Sequence, residues 1–204
     1  MTEKDFYFTI DKTACAELKE RGSRFIAYAF PIAKAEDFKN ILAKIKAEHP
    51  KATHHCFGYR LGLNHDKFRV SDDGEPAGSA GRPILGQIDS KELTDVLVIV
   101  VRYFGGTLLG IPGLISAYKS AAAMVLQTVP AVQKQVEENY RIQFDYTQMN
   151  EIMRYLKQAG CTIIEQEMQL FCFIVAGIPK NRVEMLVNRL KSQKGVEISK
   201  VVVR

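Results

Sequence analysis

The 204 residues are 47% hydrophobic and 25% charged, an ordinary globular balance that gives each half of the chain enough apolar side chains for a core and excludes long disordered segments. Glu3, Lys4 and Asp5 precede any apolar run, and the longest such run, Val96 to Val101, is far too short to cross a bilayer, so a cytoplasmic protein with no secretory leader or membrane span is expected. Cys15, Cys56, Cys161 and Cys172 are too scattered for a disulfide scaffold or a zinc site, and the net charge of +5 leaves an acidic partner such as nucleic acid open.

Two short strands are expected between Cys15 and Pro31, around the turn Arg21-Gly22-Ser23, with Arg24 to Phe30 the stronger. Ala35 to His49 reads as a helix, because Phe38, Ile41, Leu42 and Ile45 recur at helical spacing, and Pro50 stops it. Thr53 to Leu61 reads as a strand. Val70 to Gly86 reads as a structured loop that runs into a short helix near Pro83 to Gln87. Asp95 to Tyr103 is nearly unbroken apolar sequence, the pattern of a strand buried on both faces. A glycine-rich turn, Phe104 to Gly113, leads to a helix from Leu114 to Gln127.

After Pro130 the pattern restarts. A strand is expected over Val136 to Phe144, a helix over Met149 to Gln158, and strands over Thr162 to Glu165 and Gln169 to Ala176. Gly177-Ile178-Pro179 should break the chain. A helix over Asn181 to Lys191, capped by Asn181, and a strand over Glu197 to Val203 complete a βαββαβ order, the ferredoxin-like plan. The expected domains are residues 1–132 and 136–204.

Two segments are not explained by core packing. In Ser71 to Pro83, the carboxylates Asp72, Asp73 and Glu75 crowd four positions and repel unless backbone N–H groups, a helix N-terminus or a cation settles them. A rigid self-braced loop with Glu75 facing water, a ligand or partner site, and a magnesium site are the three readings. In Arg102 to Gly113, a strand end passes through Gly105, Gly106 and Gly110 into a helix, a geometry that offers backbone N–H groups to an anion. It lacks the Lys-Ser/Thr of a P-loop and the G-x-G-x-x-G spacing, so no nucleotide cofactor is expected, and no metal. Arg102 is the natural charge partner of Asp72, Asp73 or Glu75.

His54 and Cys56 share one strand face and His55 takes the other, so a Cys–His nucleophile lacks a nearby orienting group. The candidate binding residues are therefore His55, Asp72, Asp73, Glu75, Arg102, Tyr103, Gly105, Gly106 and Gly110, with no catalytic residue assigned. Residues 131–204 hold 11 Lys and Arg against 8 Asp and Glu. Within them Lys180, Lys191, Lys194 and Lys200, extended by Arg204, form a basic stripe, the candidate nucleic-acid contact; a solvated helix face is the other reading.

Gly22-Ser23-Arg24-Phe25-Ile26-Ala27, His55-Cys56, the run Ser71 to Gln87 and the run Val101 to Leu114 resemble the YigZ/IMPACT family. The resemblance covers most of residues 14–128, and the rest resembles the C-terminal domain found with it in bacteria. It implies an α/β fold whose N-terminal α/β sandwich is like domain IV of elongation factor G, followed by a ferredoxin-like domain like that factor's domain V. It also implies a link to control of translation, from eukaryotic relatives, and nucleic-acid binding, from bacterial ones. Relatives usually carry Lys, Gly and Arg where this chain has Leu108, Pro112 and Ser116, which removes two positive charges beside the glycine loop and weakens phosphate binding there. The leading expectation is a non-enzymatic RNA- or ribosome-binding protein. The alternatives are a metal-assisted hydrolase built on Asp72, Asp73, Glu75 and His55, and an adaptor that grips a protein partner through the Asp72–Pro76 loop.

Overall fold

In the computed structural model, which describes residues 5–63, 67–169 and 172–202, the chain divides into two units. One is Tyr7–Lys134. The other runs from Gln135 onward and takes in Asp5 and Phe6.

The first unit is organised around strand β6 (Val96–Tyr103), in which Val96 to Arg102 are all buried. A strand this apolar cannot lie at an edge. It sits third in a five-stranded antiparallel sheet of order β2-β3-β6-β4-β5, with β2 Ala14–Glu20, β3 Ser23–Pro31, β4 His54–Leu61 and β5 Lys67–Ser71. Because side chains alternate across the sheet, β6 feeds two cores. Leu97, Ile99 and Val101 join Ile26, Phe57 and helix α1 (Ala35–Glu48), which contributes Phe38 and Ile45. Val96, Val98 and Val100 join Phe25, Cys56 and two helices on the opposite face, α2 (Gly81–Ser90) and α3 (Gly110–Thr128). The result is helix, sheet, helix pair. Asp37 opens α1 by accepting the N–H groups of Ala33 and Lys34 at 2.9 and 3.0 Å.

Helix α3 begins at Gly110, four residues before the expected start at Leu114. Pro112 does not delay it, because N–H groups in a first helical turn have no intrahelical acceptor and proline loses nothing there. Strand β5 and a short ribbon of β1 (Phe6–Thr9) with β7 (Val132–Gln135) were not anticipated. All three are four or five residues long, and β5, Lys67-Phe68-Arg69-Val70-Ser71, alternates over only two apolar residues and is exposed or half-exposed throughout, too short a signal to mark it.

In the second unit, β8 (Glu137–Phe144), β9 (Thr162–Met168), β10 (Cys172–Pro179) and β11 (Glu197–Lys200) form an antiparallel sheet of order β11-β8-β10-β9. Helices α4 (Met149–Gln158) and α5 (Val183–Lys191) pack Ile152, Leu156, Leu186 and Leu190 against Ile142, Ile174 and Ile178. This is the ferredoxin-like βαββαβ arrangement. Two local expectations change. Gly177-Ile178-Pro179 does not break the chain but ends β10, paired with Asn139, Glu138 and Glu137. Proline is tolerated there because β9 pairs with β10 only as far as Gly177, which leaves Pro179 at an edge. Asn181 does not cap the second helix: it lies in a 3-10 turn, Lys180–Arg182, and α5 starts at Val183. Leu170 and Phe171 of the expected strand Gln169 to Ala176, and Val203 of the last one, lie outside the described residues.

Candidate functional site

Three segments of the first unit converge at the end of β6: residues 72–80, the start of β4, and the loop from Arg102 to Gly110. Asp73 and Gly74 both have positive φ, +43° and +91°, and this turn sends the three carboxylates to different partners. Asp72 reaches the N-terminus of α2, where Oδ1 accepts the N–H groups of Ala80 and Gly81 at 3.0 and 2.8 Å and Oδ2 accepts that of Gly78 at 2.8 Å. Burial pushes this carboxyl upward, but the three N–H groups outweigh it and hold it below its usual range. Asp73 Oδ2 accepts the His55 N–H at 2.7 Å, and its Oδ1 lies 3.4 Å from Lys46 Nζ.

Glu75 turns inward instead of facing water. Its Oε1 accepts from Arg102 Nη1 at 2.6 Å and from the Tyr118 hydroxyl at 2.7 Å, with side-chain exposures of 3% for Glu75 and 6% for Arg102. Arg102 Nη2 donates to Ser23 Oγ at 3.4 Å, and the same hydroxyl oxygen accepts the Gly105 N–H at 3.2 Å. The two loops are therefore joined by a buried ion pair. Pairing offsets the desolvation of both charges.

Two N–H groups of the glycine loop are spent locally as well. Phe104 N–H goes to Thr53 Oγ1 at 3.2 Å and Gly105 N–H to Ser23. Gly105 is pressed so closely on Gly22 that a Cβ there would overlap the Gly22 backbone. Gly106 and Gly110 supply positive φ, +85° and +68°.

The strand faces sort the remaining candidates. His55 and Tyr103 point to the α1 side, away from the ion pair. The Tyr103 hydroxyl bonds His49 Nδ1 at 2.8 Å, and burial lowers the His55 imidazole pKa while Asp73 pulls it the other way. His54 and Cys56 point to the ion-pair side. Only the alternation of β4, with Cys56 among the buried apolar positions, marks His54 rather than His55 as the member of the cluster. His54 Nδ1 donates to the Asp73 carbonyl at 2.8 Å, and its Nε2 lies 3.7 Å from Glu75 Oε1. The Cys56 thiol lies 3.0 Å from the Asp72 carbonyl and 3.3 Å from the Tyr118 hydroxyl. Burial pushes this thiol up to about 12, with the neighbouring carboxylates adding to the rise, so it is protonated and not a nucleophile at neutral pH. Burial likewise raises the Tyr118 hydroxyl. Tyr118 and Ser23 were not singled out beforehand. Tyr118 sits on the apolar stripe of α3 and its spacing reads as core.

Above the ion pair lies a cavity of about 430 Å³. His54, Glu75 and Arg102 form its polar floor, and Phe104, Leu108 and Ile111 are among its walls. Among the described residues no cluster of His, Cys, Asp or Glu has metal-binding geometry, and no helix is long and apolar enough to cross a membrane.

In the second unit Lys191 and Lys194 are exposed and make no ion pair among the described residues. Lys180 is half-buried in the 3-10 turn, and Lys200 lies 2.8 Å from Glu138, which offsets its charge. Arg204 lies outside the described residues. The sheet face away from α4 and α5 carries Glu165, Glu167 and Glu197 beside Arg141, whose guanidinium stacks 3.6 Å over Phe173.

Residues 21–126 match the family described as the Impact N-terminal domain. The chain is 33% identical over 186 residues to an IMPACT family member of Haemophilus influenzae, covering 90% of each chain. It is 35% identical over 173 residues to the IMPACT family member YigZ of Escherichia coli, 84% of each, and 33% identical over 153 residues to YvyE of Bacillus subtilis, 75% of this chain and 70% of that one. A crystal structure of a hypothetical protein superposes with a TM-score of 0.77 at 28% identity, covering 99% of this chain and all of the other.

Proposed function

This chain belongs to the IMPACT family, and from that premise we propose that it is a cytoplasmic, non-enzymatic binding protein with a translation-related role, one that contacts RNA or the ribosome through its C-terminal unit. The observation that carries the choice of binding over catalysis is the inward commitment of the reactive-looking side chains. Asp72 caps a helix, Asp73 holds a strand N–H, Glu75 neutralises Arg102, and Cys56 is a buried neutral thiol. A hydrolase built on these side chains needs one of their carboxylates or the thiol free to meet substrate. This cluster serves instead as a brace that fixes the shape of the loops around it.

The RNA part of the reading is supported by Lys191 and Lys194, two exposed cations near the C-terminal end of α5. The acidic sheet face of the same unit repels phosphate, so the contact belongs on the helix side. The translation-related part rests on the family resemblance. Co-sedimentation with ribosomes over a salt series tests it: release as salt rises supports the reading, and no association even at low salt contradicts it.

A further inference from the structure

The cavity over the Glu75–Arg102 pair is lined in a way that the brace does not require. Three large apolar residues stand around its opening. Leu108 is 83% exposed, Ile111 53% and Phe104 47%. One apolar side chain left in water is common, but several around one concave opening are the mark of a surface that is covered in use.

The floor makes a second demand. His54 Nδ1 faces the Asp73 carbonyl, which can only accept, so Nδ1 carries a ring hydrogen, and in the neutral tautomer this selects, Nε2 is the acceptor. Its neighbour at 3.7 Å is Glu75 Oε1, another acceptor. Glu75 Oε1 already accepts from Arg102 and Tyr118, so His54 Nε2 is the acceptor at the base of this apolar-walled pocket that no donor meets among the described residues.

We propose that this cavity receives an aromatic side chain with a hydrogen-bond donor at its tip, a tyrosine or tryptophan presented by a partner protein. The ring lies against Phe104, Leu108 and Ile111, and the O–H or N–H reaches His54 Nε2. Each competing chemistry fails on one named feature. A phosphate meets Glu75 at the floor and apolar side chains at the rim. Lysine or arginine places a second cation beside Arg102. Leucine or phenylalanine fills the walls and leaves His54 Nε2 buried without a donor, which costs more than never having buried it. Tyrosine and tryptophan combine an apolar body with a donor tip, which is why they anchor protein interfaces. This site lies in the N-terminal unit and does not depend on the RNA contact assigned to the C-terminal one.

The test is an NMR titration of the full-length, isotope-labelled chain with N-acetyl-tyrosinamide, N-acetyl-tryptophanamide, N-acetyl-phenylalaninamide and adenosine. The tyrosine and tryptophan amides should shift the amide signals of His54, Phe104, Leu108 and Ile111 at millimolar concentration. Removing the tyrosine hydroxyl removes one neutral hydrogen bond, so the phenylalanine amide should bind about fivefold more weakly. Leu108→Glu, a change at an exposed position that leaves the core intact, should abolish the shifts. Equal binding of the tyrosine and phenylalanine amides overturns the donor assignment. Tighter binding of adenosine gives the cavity to a nucleobase. The absence of shifts at these residues with every probe overturns the proposal outright. Ribosome sedimentation reads the RNA contact separately, so either idea can fail alone.

Discussion

Glu75 and Arg102 meet at 2.6 Å with both side chains almost wholly withdrawn from water, and this pair joins the loop after β5 to the end of β6. The Tyr118 hydroxyl adds a third group to the same carboxylate oxygen. Breaking such a pair leaves the surviving charge buried without compensation. Glu75→Ala and Arg102→Ala should each destabilise the protein by about 3–5 kcal/mol, whereas Glu75→Leu combined with Arg102→Met should recover much of the loss. Urea denaturation measures all three. A single variant as stable as the parent contradicts the brace.

Gly105 and Gly106 are neighbours with different jobs. A Cβ on residue 105 overlaps the Gly22 backbone, whereas residue 106 has open space around it and only its φ of +85° to maintain. Gly105→Ala should cost about 3 kcal/mol or more through overpacking. Gly106→Ala should cost about 1–2 kcal/mol, the strain of left-handed backbone. Thermal melting of the two variants gives the order, and equal losses contradict this division.

Asp72 sets an acid limit. Its folded carboxyl lies below the ordinary 3.8, because three backbone N–H groups outweigh its burial. A depressed carboxyl contributes stability that is complete above the unfolded value and is lost as pH falls through the folded one. The stability gap between the parent and Asp72→Asn should therefore be constant above about pH 5 and shrink as pH drops below about 4. Denaturant titrations at several pH values check this, and a gap that widens toward acid contradicts it.

The Cys56 thiol, raised to about 12 and fully buried, should resist iodoacetamide in the native protein while the exposed Cys15 reacts. Mass spectrometry after alkylation at neutral pH distinguishes the two. Rapid modification of Cys56 revives the nucleophile that the geometry argues against.

What could be read before the structure followed from patterns with one physical cause. Val96 to Val101 announce a central strand because the run is short, unbroken and mostly β-branched, and Phe38, Ile41, Leu42 and Ile45 announce α1 by spacing alone. The start of α3 was hidden because Gly110, Pro112 and Gly113 look like a turn, although a first helical turn tolerates all of them. Strand β5 was hidden because its alternation spans only Phe68 and Val70, too short a run to stand out from a loop. At the site, Arg102 was visible as a partner for a carboxylate, but the choice of Glu75 over Asp72 and Asp73 depends on the positive φ at Asp73 and Gly74, which composition does not encode. The alternation of β4 was legible, with His54 and Cys56 on one face and His55 on the other, but not which face meets the Glu75–Arg102 pair, and His55 was preferred for that reason.

The central claim is that the C-terminal unit contacts RNA or the ribosome through exposed lysines, and ribosome co-sedimentation of the parent against a Lys191→Glu, Lys194→Glu double variant tests it most directly. Both side chains are exposed, so the fold should survive the change. With about two phosphates neutralised by Lys191 and Lys194, the parent should show a log–log salt slope of about −1.4 to −1.8 between about 50 and 200 mM salt, and the double variant should bind more weakly at every salt concentration. Parent and variant sedimenting alike, or neither associating at low salt, would contradict the account.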